Sequence, residues 1–211
     1  MRTLTVIALV LLFAPFTLSA DMMQTVDLGA RMTATEQNPP LAGIDGSARA
    51  QVTLNIRRND EGEMVSAFVT FTVNINVQGQ EDVTLLALHI HEAPLGVNGG
   101  IRIRSGLDFG SEPVVASGGS ARIWRQVEIV DKDGLATVGR LVDNPAGFYV
   151  NIHSASNPGG LLRGQVFNAD RLASMIIKVQ SQSEALVDKQ EFNAEILRRI
   201  AFRLGVLRRG E

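Results

Sequence analysis

The chain has 211 residues, a formal net charge of −2, 45% hydrophobic residues and no cysteine. That length suits one ordinary domain with a sizeable core plus an extension, and the near-neutral balance excludes a global field aimed at nucleic acid or an anionic surface. Without cysteine there is neither a disulfide nor a lipid-attachment thiol, so stability must come from burial.

Residues 1–20 read as a signal peptide. Arg2 is the positive start, residues 4–18 are apolar with Pro15 among them, and Ser19-Ala20 are small enough for cleavage after either one. The run is short for a membrane span, so an uncleaved anchor is the lesser reading. The expected location is periplasmic or secreted, and the short n-region fits a bacterial exported protein.

Residues 21–24 read as a loose start and residues 28–35 as a first strand. Pro39-Pro40 ends it, because proline neither donates to a ladder nor continues a helix. Residues 46–57 alternate: Ala48, Ala50, Val52, Leu54 and Ile56 fall on one face, with Arg49, Gln51, Thr53, Asn55 and Arg57 on the other. That is a half-buried antiparallel strand. Beyond the turn at 59–62, residues 64–77 alternate again, with Phe71, Val73, Ile75 and Val77 in phase, so the two strands form a hairpin.

Residues 83–92 form a central strand that places Leu86, Leu88 and Ile90 opposite His89 and His91. The loop at 94–100 carries the turn signal Asn98-Gly99. Short strands are expected at 101–104 and 114–116, around a loop at 106–113, and a longer one at 122–130. Leu135, Val138, Leu141 and Val142 recur at helical spacing, which predicts a short helix over 133–144 ending before Asn144-Pro145. A strand at 147–154, a turn at 157–160 and a last strand at 161–167 follow. Many short strands with Gly and Pro between them indicate an antiparallel Greek-key sandwich or barrel over residues 21–168.

Residues 169–211 form a helical extension. Leu172, Met175, Ile176 and Val179 make one apolar stripe, polar residues 180–184 interrupt it, and Phe192, Ile196, Ile200 and Leu204 recur at fours. Arg198, Arg199, Arg203, Arg208 and Arg209 crowd the end. The pattern predicts a pair of helices, the second amphipathic and basic. Packing against the β domain or against a second copy is favoured over a membrane surface, because Glu184, Asp188, Glu191 and Glu195 share the helix and weaken attraction to anionic lipid.

All three histidines lie in two segments built alike, LLALHIHEAPLGVNGGI and FYVNIHSASNPGGLLRGQV. On a strand, residues two apart share a face, so His89 and His91 project side by side. Two imidazoles offered this way suit copper, zinc, iron or nickel, and His153 completes a three-nitrogen set if its strand neighbours theirs. The alternative is a structural polar cluster that holds strand ends by hydrogen bonds to backbone; the residues alone leave both readings open. A buried Arg163 needs a carboxylate or carbonyls, and Glu92 or Asp108 is the expected partner. Asn151 shares the face of His153 and is placed to orient an imidazole. Gly99-Gly100 and Gly159-Gly160 are expected to supply positive backbone torsions. Ser154 lacks a nucleophile elbow, and neither a phosphate loop nor a dinucleotide fingerprint is present.

These motifs resemble the CHRD domain family, named for chordin. They are Asn38-Pro39-Pro40-Leu41-Ala42-Gly43, Leu88-His89-Ile90-His91, Gly96-Val97-Asn98-Gly99, and residues 141–145. The longest block is Phe148-Tyr149-Val150-Asn151-Ile152-His153-Ser154, with Asn157-Pro158-Gly159-Gly160 and Arg163-Gly164-Gln165 after it. The resemblance covers roughly residues 28–168, departs at Gly100 and Leu161, and leaves out the helical extension. It implies an immunoglobulin-like β-barrel without a general activity.

More distantly, Leu88-His89-Ile90-His91-Glu92 looks like the His–X–His–Glu strand of copper,zinc superoxide dismutases. That likeness implies copper ligation by His89, His91 and His153. It implies no zinc subsite, because the bridging histidine, the zinc-site histidines and the cysteine pair are missing, and these departures put dismutation in doubt; an enzyme is the lesser expectation, and if the chain is one, the likeness implies a superoxide dismutase-like copper oxidoreductase. Two functions therefore stand. One is an exported, non-catalytic binding or scaffold module, with an extracytoplasmic partner or self-association through the C-terminal helix. The other is a mononuclear copper-type site on three histidines with redox or metal-handling activity.

Overall fold

A computed structural model describes residues 22–79 and 81–203. The nine strands are β1 (Met22–Thr33), β2 (Gly46–Arg58), β3 (Met64–Val77), β4 (Asp82–Glu92), β5 (Ile101–Arg104), β6 (Val114–Ser117), β7 (Ser120–Ile129), β8 (Phe148–Ser154) and β9 (Leu162–Asn168). The helices are α1 (Lys132–Asp143) and α2 (Ala169–Arg203). Every strand pairing is antiparallel.

The strands run in the order β4-β6-β7-β3-β2-β1-β9-β8, and β8 pairs back onto β4. Eight strands thus close into a barrel, which removes the open edges that invite aggregation. β5 lies beyond β6 along the same edge of β4. β1, β2 and β3 are a meander, but the connections from β3 to β4 and from β7 to β8 skip neighbours, as a Greek-key architecture requires.

The core follows from the alternation. Ala48, Ala50, Val52, Leu54 and Ile56 of β2 point inward with Ala67, Val69, Phe71, Val73, Ile75 and Val77 of β3. Val26, Leu28, Ala30 and Met32 of β1 join them; β1 begins at Met22, which pairs with Arg58, so residues 22–24 are strand rather than a loose start. α1 is capped by the Asp131 carboxylate, which accepts from the Gly134 N–H, and it buries Val138 and Leu141 against the barrel. Arg140 of α1 donates twice to Glu92, at 2.8 and 3.0 Å, and so ties the helix to the end of β4.

β4 departs from the sequence expectation in a way that positions the site. Leu85 stands opposite Ser154 and Ala87 opposite His153, so two residues of β4 are spanned by one step of β8. This is a β-bulge at Leu86. Val83 and Leu85 point into the core before it, and Leu88 and Ile90 after it. Leu86 does not share the face of Leu88 and Ile90; it is half-buried. In a regular strand through Leu86, without the bulge, His89 and His91 would share the parity of Leu85 and would face the apolar core. The bulge turns them to the outer face.

α2 is one helix through residues 180–184, not two. Gln180, Ser181, Gln182, Ser183 and Glu184 interrupt the apolar stripe but contain no Gly or Pro, so the backbone ladder continues. Ile177, Val179, Leu186, Phe192 and Leu197 are exposed along it. Among the described residues, no helix is long and apolar enough to cross a membrane. The expected signal peptide at 1–20, and Leu204, Arg208 and Arg209, lie outside the described residues.

Candidate metal centre

The outer face of β4, β8 and β9 is polar and roofed by loops. Its rows follow from the register: Ala87 beside His153, then His89–Asn151–Arg163, then His91–Tyr149–Gln165. Residues of β8 are buried on both faces, because the loops at 34–41, 93–100, 105–113 and 155–160 cover this side of the barrel. His89, His91 and His153 are 0%, 7% and 6% exposed.

The structure brings the three histidines together. Ring centres lie 5.8 Å apart for His89 and His91, 5.2 Å for His89 and His153, and 6.1 Å for His91 and His153. One ring nitrogen from each lies within 4.8 Å of the other two. Such a triangle has a point no more than about 2.8 Å from every corner, and metal–imidazole bonds are about 2.0–2.1 Å, so a shift of well under an ångström per ring closes the set on one ion.

Hydrogen bonds fix the tautomers. His89 Nε2–H donates to Asp108 Oδ1 at 2.6 Å, His91 Nδ1–H to the Gly99 carbonyl at 3.0 Å, and His153 Nδ1–H to the Pro158 carbonyl at 2.9 Å. All three partners are acceptors, so these nitrogens carry the protons. The opposite nitrogens, His89 Nδ1, His91 Nε2 and His153 Nε2, hold lone pairs, are shut off from solvent and have no hydrogen-bond partner among the described residues.

The charge state agrees. Burial pushes all three imidazoles below their usual range, and His91 falls to about 4. Burial would raise the Asp108 carboxyl, but its bonds with His89 and Arg104 outweigh this and hold it low. At neutral pH the site presents three neutral imidazoles.

The supporting residues were partly legible in advance. Asn151 does lie on the face of His153, but it accepts from Gln37 Nε2 at 2.7 Å rather than meeting an imidazole. Arg163 takes neither expected carboxylate. Glu92 is held by Arg140 and Arg102, and Asp108 by His89 and Arg104. The Arg163 guanidinium instead donates to the Val97 carbonyl at 2.7 Å and to Asn98 Oδ1 at 3.0 Å, and lies 3.6 Å from the centre of the Tyr149 ring. Tyr149 in turn stacks on His91 at 4.8 Å with planes 10° apart. The alternation Tyr149, Asn151, His153 was the signal that places Tyr149 here. Gln37 and Phe109 carried no such signal, since both sit in loops; the Phe109 ring lies 5.4 Å from His153 and 6.4 Å from His89.

The glycines divide. Gly160 has φ +136°, and a Cβ there would meet Asn151 and Gln37 at 2.7 Å. Gly99, Gly100 and Gly159 do not have positive torsions. Gly99 is required for another reason: a Cβ would collide with the Glu92 carbonyl, so only glycine brings this loop close enough for its own carbonyl to hold His91.

The family model described as CHRD domain matches residues 28–166 of the chain. Neither the curated proteins nor the solved structures contain a match.

Proposed function

We propose that this chain, which belongs to the CHRD domain family, is an exported β-barrel module that binds one metal ion, copper before zinc, through His89, His91 and His153. The observation that carries this reading is a buried nitrogen without a partner on each of three imidazoles, in rings that bring one nitrogen apiece within 4.8 Å of the others, while each ring's other nitrogen is held by an oxygen. A purely structural cluster would pair those nitrogens with donors, because each buried acceptor without a partner costs about 1–3 kcal/mol. Acceptors holding the far side of each imidazole are the usual second layer of a metal site. Three nitrogen ligands without thiolate or carboxylate suit copper, which also stands highest among the divalent first-row ions in affinity for such donors.

CHRD domains occur in extracellular or secreted proteins. Together with the signal reading of residues 1–20, this supports action outside the cytoplasm, in metal handling or redox chemistry. The exposed apolar residues of α2 support a second role, self-association.

Equilibrium dialysis of metal-free protein against copper and zinc tests the site. One equivalent of copper is expected to bind, and His89→Ala or His153→Ala is expected to weaken it by more than about 100-fold, beyond the range of second-layer changes. Unchanged copper affinity in either variant overturns the reading.

A further inference from the structure

We propose, resting on the three-histidine reading, that the site is built for a singly charged ion, Cu(I), and that Arg163 and Phe109 set this preference. Two independent observations support it.

The first is charge. The ligand set contributes none, since imidazole binds a metal through the lone pair of its neutral form. Asp108 is the carboxylate that touches it, and Arg104 binds the same oxygen as His89, which offsets that charge. Against this neutral set lies a buried cation. Arg163 is 1% exposed, its hydrogen bonds go to two neutral oxygens, and among the described residues no carboxylate pairs with it. Its guanidinium reaches the ligands through a stack, 3.6 Å to the Tyr149 ring and 4.8 Å from there to His91. A buried cation without a counter-ion opposes each further positive charge nearby, and opposes a dication twice as strongly as a monocation.

The second is coordination number. The three unpaired nitrogens are closed to solvent, and the Phe109 ring meets His153 edge-on at 5.4 Å and lies 6.4 Å from His89. That ring is apolar and offers no ligand for a fourth position. Zn(II) fills a fourth position, with water in open sites, and Cu(II) likewise takes four or more ligands, whereas Cu(I) is satisfied by three nitrogens. Phe109 is itself half exposed on a loop, so its ring is not required by the barrel core.

The test titrates metal-free, full-length protein with Cu(I) under anaerobic conditions, with Cu(II) and with Zn(II), each against a competing chelator, and measures the reduction potential of the copper-loaded form. Cu(I) is expected to bind most tightly. Arg163→Met is expected to shift the Cu(I)-to-Cu(II) affinity ratio about tenfold toward Cu(II), the effect of a unit charge on the order of 10 Å away in a protein-like dielectric. That lowers the one-electron potential by about 59 mV. Arg163→Lys keeps the charge and is expected to restore most of it. Because Arg163 also holds the loop at 97–98, Phe109→Ala is the second variant. It is expected to raise Cu(II) and Zn(II) affinity relative to Cu(I) by roughly tenfold and to admit azide to the Cu(II) form, seen as a new charge-transfer band. A wild-type preference for Cu(II) or Zn(II), or unchanged ratios in both variants, overturns the inference and leaves the three-histidine site standing. Absence of any copper or zinc binding removes the site and the inference together.

Discussion

His153 stands directly opposite Ala87, one step past the bulge in β4. The smallest side chain of that strand, 0% exposed, therefore lies beside the third imidazole. His89 and His91 continue the same face, so the pair Ala87–His153 decides whether three rings meet or only two.

Enlarging Ala87 is the direct check on that relationship. Ala87→Leu adds three carbons in a closed space and is expected to destabilise the protein by about 1–3 kcal/mol. It is also expected to push His153 aside and abolish copper binding. A variant that folds and still binds copper at wild-type affinity would show that the register does not set the site.

Metal should stabilise the folded chain. At a free copper concentration of 100 times Kd the gain is about 2.7 kcal/mol, or roughly 5–10 °C in Tm for a domain of this size. Differential scanning of the wild type and His153→Ala with and without copper measures it; the increment is expected to vanish in the variant.

Acid should weaken the metal-free protein. The unfolded chain takes up histidine protons near pH 6.5, whereas folded His91 does so only near 4, and His89 and His153 are lowered in the same direction. Between these values the unfolded state binds more protons, so stability is whole above pH 6.5 and falls as pH drops toward 4. His91 accounts for about 3 kcal/mol of the loss. Urea midpoints at pH 7.5, 5.5 and 4.5 should fall in that order, and a flat profile would contradict the buried, neutral state of the cluster.

Asp108 orients His89 from the side away from the convergence point. Asp108→Asn removes the charge but keeps the size, and is expected to lower copper affinity 10–100-fold with Tm little changed. Equal affinity in the two proteins would mean that the loop at 105–113 alone holds His89.

α2 exposes Ile177, Val179, Leu186, Phe192 and Leu197, and the family match ends at residue 166, before the helix begins. Deleting residues 184–211 is expected to lower the solution mass to that of a monomer, measured by light scattering, without affecting copper binding. A full-length chain that is already a monomer would remove self-association as the role of the helix.

By itself, the sequence determined the strands of the barrel. Residues 46–57 and 69–77 alternate because one face is buried and the other is more open, and period-two burial leaves a mark in composition. α1 was readable from its apolar residues at three- and four-residue spacing, and the confinement of all histidines to two like segments from the sequence directly. Three matters were decided only by the tertiary structure. The bulge at Leu86 leaves an ordinary apolar run behind it, yet it turns His89 and His91 out of the core. Arg163 bypassed Glu92 and Asp108 because Arg140 and Arg104 lie closer to those carboxylates, and it settled on Tyr149 and two loop oxygens. The meeting of His153 with the histidine pair depends on β4 lying beside β8, a contact between strands some sixty residues apart. Local pattern records which face a residue takes; it does not record which distant strand becomes its neighbour, because barrel closure is set by the sum of all pairings.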